Sequence, residues 1–477
     1  LKINIKFPWY VLAVVITALV NLLYISVFSR ILSSENLGIY FVLIQVVSVG
    51  SMIFYGWYIY GVLRYEPSAS EGGIKDLSIG HSTIVIFGGI ITILFIIIFL
   101  SLNFIIEINN IENIVILSIC IFSEGIFRLV TTIFQSRRYS KYYSIAISTL
   151  AIGRYGFAYF IYQLGLNNYY CLLVGYIIAE IIINVLSLNI LKIRIDISFA
   201  KLIINCKESL KIYRKYFIYS YPLIALALIT EVKPLIDRLL VSYFIGIADV
   251  AIYVSNLSIG IGMLGMVSQP ILLTTHSILM RVGDNYGGGK FKYCNYKIME
   301  LYIVLTSAIL LFIAPNSKSI SELFLSSELN EGHLYILIGF ISAQIGGLSI
   351  YLGKPFELYN KTKTMFSIHV LSYFAYLLLS ILMIKTYSIM GLAISGIVLP
   401  LSTLILQLVI LKWRKILIFP WLPIILSYFY VGTIYLIISL ILNKYMVLLL
   451  SILSIIIYYF IIKKKIFSYL NIIRKIK

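Results

Sequence analysis

The chain has 477 residues, of which 61% are hydrophobic and only 12% charged. Soluble domains carry roughly 25% charged residues, and the two or three soluble domains that this length would make could not be covered with polar side chains, so soluble globular, disordered and fibrous classes are excluded. The 38 Lys+Arg against 19 Asp+Glu give a net charge of +19. These bases lie mainly in short segments between apolar runs, where they orient a membrane chain by the positive-inside rule rather than contact nucleic acid.

A bilayer core takes roughly 20 apolar residues per helix. Runs of that kind occupy 8–29, 38–63, 81–101, 113–135, 144–164 and 168–190 in the first half. They continue through 218–244, 250–276, 296–315, 333–353, 364–384 and 388–411, with a final pair at 421–442 and 445–462. The first run follows Lys2 and Lys6 in the manner of a signal peptide, yet it continues for a full span with no small-residue cleavage site before Asn21, and reads as a span. The pattern therefore predicts an all-α polytopic membrane protein of about 14 transmembrane helices. Its parts are an N-terminal six-helix bundle (1–190), a basic cytoplasmic linker (191–217), a C-terminal six-helix bundle (218–412), and an extra helix pair with a basic tail (413–477). With the N-terminus in the cytoplasm, thirty Lys/Arg fall on the cytoplasmic side, including Arg137, Arg138, Lys141 and Lys463-Lys464-Lys465, against four outside, Arg30, Lys318, Lys385 and Lys444. That asymmetry predicts both termini in the cytoplasm.

Two stretches 213 residues apart share one pattern. Phe28-Ser29-Arg30-Ile31-Leu32-Ser33-Ser34 through Gly38-Ile39-Tyr40 aligns with Val241-Ser242-Tyr243-Phe244-Ile245-Gly246-Ile247 through Ala251-Ile252-Tyr253, and Pro8 and Pro222 open the paired spans. Six spans separate the copies, so they have the same orientation. Parallel repeats of this kind build transporters whose two bundles enclose a central cavity.

The same residues carry a family resemblance. Ser29-Arg30-Ile31-Leu32 through Gly38-Ile39-Tyr40, and Asp237-Arg238 followed by Gly246 and Ile252-Tyr253, resemble motifs of bacterial polysaccharide (O-antigen-type) flippases. So do Gly353-Lys354, Asn360-Lys361-Thr362-Lys363 and Tyr387-Ser388-Ile389-Met390-Gly391-Leu392-Ala393. Ser33 stands where that family usually has Gly, and the last helix pair exceeds the twelve spans many of its members have. The family lies in the multidrug/oligosaccharidyl-lipid/polysaccharide (MOP) exporter superfamily. The resemblance implies a MATE-like fold in the bacterial inner membrane and transport of a polyprenyl-diphosphate-linked oligosaccharide (an O-antigen or capsule repeat unit). It also implies contact with membrane lipids, and a polysaccharide polymerase and other assembly proteins as partners. Arg30 and Arg64, at opposite ends of the first two spans, match arginines that recur in it.

Ionisable groups at membrane depth are costly, and normally face protein or a water-filled cavity. Glu124 and Arg128 are spaced i, i+4 on one face of span 4. Arg154 lies mid-span 5 and Glu180 mid-span 6. Span 7 holds Glu231, Lys233, Asp237 and Arg238, with Lys233 and Asp237 again i, i+4, while Glu231 and Arg238 are seven apart on a shared face. Pro234 removes a backbone hydrogen bond near Thr230, which predicts bending or local unwinding. Arg30, Arg64, Arg128, Arg154, Lys233 and Arg238 are thus candidate substrate-binding groups, since guanidinium binds phosphate oxygens bidentately. Glu124, Glu180, Glu231 and Asp237 are candidates for coupling ions, protons above all.

The four cysteines and four histidines are scattered without ligand spacing, so no metal or cofactor is expected. Gly283-Asp284-Asn285-Tyr286-Gly287-Gly288-Gly289-Lys290 fails the phosphate-loop spacing, and Phe291 replaces its Ser/Thr; it is expected to be a flexible cytoplasmic loop, without ATP hydrolysis. Two other readings remain at this level. A cation-coupled multidrug antiporter of the same architecture would favour a net acidic, aromatic cavity. A membrane-embedded polymerase or glycosyltransferase would need a larger extramembrane loop than any here, and the chain is not expected to be an enzyme.

Overall fold

The computed structural model describes residues 7–68, 71–106, 111–191, 193, 199–359, 361–413, 418–440 and 444–475, and these contain helices and turns with no strand. Lys2 and Lys6, part of the linker, and Asn360 of the resembled motif lie outside the described residues. In chain order the helices are α1 (Phe7–Ile31), α2 (Ser34–Tyr65), α3 (Glu71–Ile106), α4 (Ile111–Ser136), α5 (Ser140–Gln163) and α6 (Tyr170–Leu191). They continue as α7 (Phe199–Phe244), α8 (Ile247–Phe324), α9 (His333–Leu358), α10 (Thr362–Trp413), α11 (Trp421–Ser439) and α12 (Lys444–Lys475). Short 3-10 turns cover Glu66–Ser68 and Ser327–Gly332.

Among the described residues, eleven helical stretches are long and apolar enough to cross a membrane. Three features account for the difference from the fourteen expected spans. The 50-residue stretch Lys363–Lys412 holds two of them, broken at Ser388 (φ 54°, ψ −143°). The membrane half of α7 carries four charges in eight positions, and Tyr445–Phe460 is apolar but short. The break at Ser388 gives a physical reason for the Tyr387–Ala393 motif. A Cβ on Gly391 would collide with the Met383 carbonyl oxygen, so only glycine lets the chain reverse so tightly.

α8 spans 78 residues, which at 1.5 Å per residue would be about 117 Å if straight, several bilayers long. Its contacts show instead that it doubles back along α9. Gly260 lies against Ile336 and Phe340, Thr275 against Tyr351, and Gly283 against Leu358. On the return, Asn295 donates to the Tyr351 carbonyl, Tyr302 to the Gln344 carbonyl, and Ser321 to Asn256 back at the start. The tip of this hairpin is the Gly283–Lys290 stretch. That stretch has helical backbone rather than the loop expected from its glycines, and α9 packs along both arms beside it.

The internal repeat has a structural counterpart. α1 ends at Ile31 and α2 starts at Ser34, and α7 ends at Phe244 and α8 starts at Ile247, the same two-residue break displaced by the sequence offset. The Leu32 N–H donates to the Phe28 carbonyl at 3.0 Å, and Ile245 donates to Val241 at 3.0 Å in the second copy. Gly246 is extended (φ 165°, ψ 159°), a conformation any residue adopts, so Ser33 fills the equivalent place without strain.

The residues form two compact units. One takes Pro8–Val20 and Asn36–Leu239, and the other Asn21–Glu35 and Leu240–Lys477. In the first, Tyr58 and Val62 of α2 pack with Leu129 and Ile133 of α4, Leu150 of α5 and Ala179 of α6. In the second, Leu279, Phe291 and Met299 of α8 pack with Leu348, Leu352 and Phe356 of α9 and Ile368 and Leu411 of α10. The C-terminal pair belongs to this second unit. Asn316 of α8 donates to Ser451 of α12, and Tyr428 of α11 donates to Gln344 of α9.

Candidate functional site

Three helices of the first unit aim polar side chains at one another from otherwise apolar surfaces. On α6, Tyr176, Glu180 and Asn184 recur every four residues and share a face. On α4, Ser123, Glu124 and Arg128 meet them, and α5 contributes Arg154. The Glu180 carboxylate accepts from Arg154 Nη2 at 2.6 Å, and the same nitrogen donates to Glu124 at 3.0 Å. Glu124 in turn accepts from Arg128 Nε at 2.7 Å and from the Tyr176 hydroxyl at 2.6 Å. The Arg154 guanidinium also lies 3.9 Å above the Tyr176 ring, where the ring's negative face stabilises it. Ser123 donates to Glu180, and Asn184 donates to the Ser123 carbonyl at 2.9 Å.

The chain of ion pairs then extends to α2 and α7. Arg128 Nη1 lies 3.4 Å from Glu231, and its Nη2 donates to the Ser48 hydroxyl at 2.7 Å. Ser48 donates on to the other Glu231 oxygen at 2.8 Å, and Gln45 holds the Glu231 main-chain carbonyl at 3.0 Å. The result is one alternating series, Glu180–Arg154–Glu124–Arg128–Glu231. Its ends differ: the Glu180 side chain is 0% exposed, whereas Glu231 is 26% exposed. The longest and most accessible link is therefore Arg128–Glu231.

Three carboxylates face two guanidiniums here, so with all of them ionised the group carries one net negative charge. Such an arrangement can accept a proton or admit a cation at its acidic members. It can also exchange Glu231 for another anion, because Arg128 Nη1 meets that quarter-exposed carboxylate over the longest contact of the series.

The remaining sequence candidates sit elsewhere. On α7, Lys233 and Asp237 pair at 2.6 Å across one turn, as their spacing predicts, and the Asp237 side chain is almost fully buried. Arg238 donates to the Phe41 carbonyl of α2. Glu231 and Arg238, expected to share a face, thus reach different partners. The helix runs through Pro234 without a break, so the local unwinding expected there does not occur; the Glu231 carbonyl next to the lost bond is instead taken by Gln45, in the way neighbouring helices re-satisfy backbone freed by proline. Arg30, in the last turn of α1, donates to Ser26 Oγ and to the Leu323 carbonyl, both at 2.8 Å, tying the end of α1 to the end of α8. Arg64 is exposed in the last turn of α2.

Sequence reasoning missed Ser48, Gln45, Ser123, Tyr176 and Asn184. The four-residue spacing of polar groups through α6 was a signal for two of them; nothing local marks Ser48 and Gln45. It also missed a second buried group. Just beyond α2, Glu66 accepts from Arg137 and lies 3.2 Å from His81 Nε2, while His81 Nδ1 is 2.8 Å from the Tyr58 hydroxyl. Burial pushes the Glu66 carboxyl up, but His81 and Arg137 outweigh it and hold it below the usual carboxylate range.

The fold, with eleven described helical stretches long and apolar enough to cross a membrane, is that of a multi-pass helical membrane protein. No family model and no curated protein matches the sequence. Among solved structures, the chain is similar to the lipid II flippase MurJ in an inward closed conformation, with a TM-score of 0.71, 13% identity, and coverage of 95% of this chain and 98% of that one. It is also similar to an inward-facing multidrug resistance MATE family transporter of the MOP superfamily, with a TM-score of 0.60, 14% identity, and coverage of 84% and 94%. A crystal structure of a MATE point mutant gives a TM-score of 0.53 at 14% identity, over 86% of this chain and 95% of that one.

Proposed function

We propose that the protein is a flippase that moves a polyprenyl-diphosphate-linked oligosaccharide, an O-antigen or capsule repeat unit, from the cytoplasmic to the outer leaflet by alternating access. The observation that carries this reading is the open end of the ion-pair series, where Arg128 offers two nitrogens beside a quarter-exposed carboxylate. A diphosphate oxygen would replace Glu231 at the 3.4 Å link, because a doubly charged anion competes well for the longest of the three contacts that Arg128 makes. Ser48 would stay as a neutral donor. The released Glu231, with Glu124 and Glu180 behind it, would take up protons as the headgroup enters, coupling its passage to the membrane gradient. Lys233 and Arg238 on α7, with Arg30 and Arg64 at the span ends, would guide the headgroup on entry and exit, while Asp237, paired with Lys233, would join the coupling carboxylates. Support also comes from the motif resemblance along the first twelve spans, and from a fold shared with a lipid II flippase over nearly the full length of both chains.

On this reading the chain sits in a bacterial cytoplasmic membrane with both termini inside, and hands its cargo to a polysaccharide polymerase and other assembly proteins. The test is flipping of a polyprenyl-diphosphate oligosaccharide in proteoliposomes, read by an impermeant glycosidase. Arg128→Gln is expected to abolish it, and collapse of a proton gradient to slow it. Full flipping by Arg128→Gln overturns the headgroup role, and indifference to the gradient overturns the coupling.

The excess of one carboxylate over the guanidiniums, together with the MATE fold, favours a second reading, a cation-coupled multidrug antiporter. Proton-dependent efflux of cationic drugs by the same proteoliposomes, with no movement of the lipid-linked saccharide, would establish it.

A further inference from the structure

A pocket of about 590 Å³ opens where the second span meets the start of the membrane half of α7, lined by Tyr65, Arg214, Lys215, Ile218 and Tyr219. None of these residues belongs to the ion-pair series. Its geometry points to a specific ligand class. Lys215 Nζ lies 4.2 Å from the centre of the Tyr65 ring, which holds the ammonium at the mouth rather than letting it sweep through solvent. Tyr65 stacks on Tyr216 at 5.4 Å and meets Tyr219 edge-on at 5.6 Å, so the aromatic wall is fixed. Arg214 is exposed beside it.

The sequence order on α7 completes the picture. The two bases come one turn before the apolar run that begins at Ile218. Arg214, Ile218 and Tyr221 follow one another at i, i+4 and i+7 along a single face, and Ile218, Tyr219 and Tyr221 are all exposed. Cationic heads at one end and exposed apolar and aromatic groups at the other match the headgroup-to-acyl gradient of a membrane interface. A free phosphate would use only the two bases and leave the tyrosine and isoleucine wall in water. We propose that this pocket binds an anionic membrane lipid, its phosphate between Arg214 and Lys215 and its chain along Ile218 and Tyr221. This site stands whether the transported cargo is a lipid-linked saccharide or a drug.

The test uses the full chain purified in detergent and native mass spectrometry with added phosphatidylglycerol or phosphatidylcholine. Each basic group near an anionic lipid surface is worth about fivefold in affinity, so Arg214→Gln with Lys215→Gln is expected to weaken phosphatidylglycerol binding about thirtyfold. Lys361→Gln with Lys363→Gln, at exposed bases elsewhere, is expected to leave it unchanged. Because both pocket bases are exposed, the double variant is expected to melt as the parent does, and Arg214→Lys is expected to retain most of the affinity. Equal binding of phosphatidylcholine, undiminished phosphatidylglycerol binding in the double variant, or equal loss in the control variant would overturn the site. Glycerophosphate binding as tightly as phosphatidylglycerol would overturn the lipid in favour of a soluble anion.

Discussion

Replacing Arg154 by glutamine removes the cation at the most buried point of the ion-pair series. Its Nη2 serves two carboxylates, at 2.6 Å to Glu180 and 3.0 Å to Glu124, and Glu180 has no exposure to water. Glu124 keeps Arg128 at 2.7 Å, so the loss falls mainly on Glu180, left with Ser123 as its remaining side-chain donor. Removing one partner of a buried pair costs about 3–5 kcal/mol, because an uncompensated charge stays in the low-dielectric interior. The stacking of Arg154 on Tyr176 at 3.9 Å adds about 0.5–1 kcal/mol or more. Equilibrium unfolding in mixed detergent micelles should show Arg154→Gln destabilised by about that total. The decisive arm is the double variant Arg154→Gln/Glu180→Gln, which removes the stranded charge and should recover most of the loss. A double variant no more stable than Arg154→Gln would refute the assignment of Glu180 as the residue that depends on Arg154. Parent-like unfolding of Arg154→Gln would refute the buried series itself.

The other predictions concern separate parts of the fold. Because the folded-state value of Glu66 lies below the ordinary glutamate range, its contribution to stability is fully present at neutral pH, begins to fall once pH drops past about 4.3, and is gone when pH has fallen through the lowered value. Melting curves taken down the acid limb should flatten in Glu66→Gln, and an unchanged limb would contradict the pairing. At Gly260 a Cβ would collide with the Ile336 carbonyl oxygen, whereas at Gly262 it would meet nothing within 4 Å. Gly260→Ala should therefore lose about 1–3 kcal/mol through forced separation of α8 and α9, and Gly262→Ala should unfold no earlier than the parent. Asp237→Asn and Arg238→Gln should each abolish transport while membrane expression is retained; full activity in either would remove that residue from the mechanism.

Much of this architecture was legible because bilayer length is a strong local constraint. The repeat at an offset of 213 residues foretold the position of both two-residue helix breaks. The i, i+4 pairs Glu124–Arg128 and Lys233–Asp237 followed directly from helix geometry. Partnerships between helices did not. Arg154 and Glu180 were visible as costly charges, but only packing of α5 and α6 together brings them into one pair. Glu231 was placed on a face shared with Arg238, and its partner is Arg128 of α4, with Ser48 of α2 as the bridge. The Gly283–Lys290 stretch misled because its glycines suggest a loop, while its backbone is helical. Arg30 and Arg64 were read by resemblance alone; the structure gives Arg30 two acceptors at the ends of α1 and α8, and leaves Arg64 exposed.

The central claim, that the protein flips a lipid-linked saccharide, is tested most directly in its host. Deleting the gene and quantifying polyprenyl-diphosphate-linked saccharides and surface polysaccharide by mass spectrometry should show accumulated repeat units and lost polymer, with their mass identifying the cargo. Unchanged lipid intermediates together with increased sensitivity to cationic drugs would contradict the claim and make the protein a drug exporter.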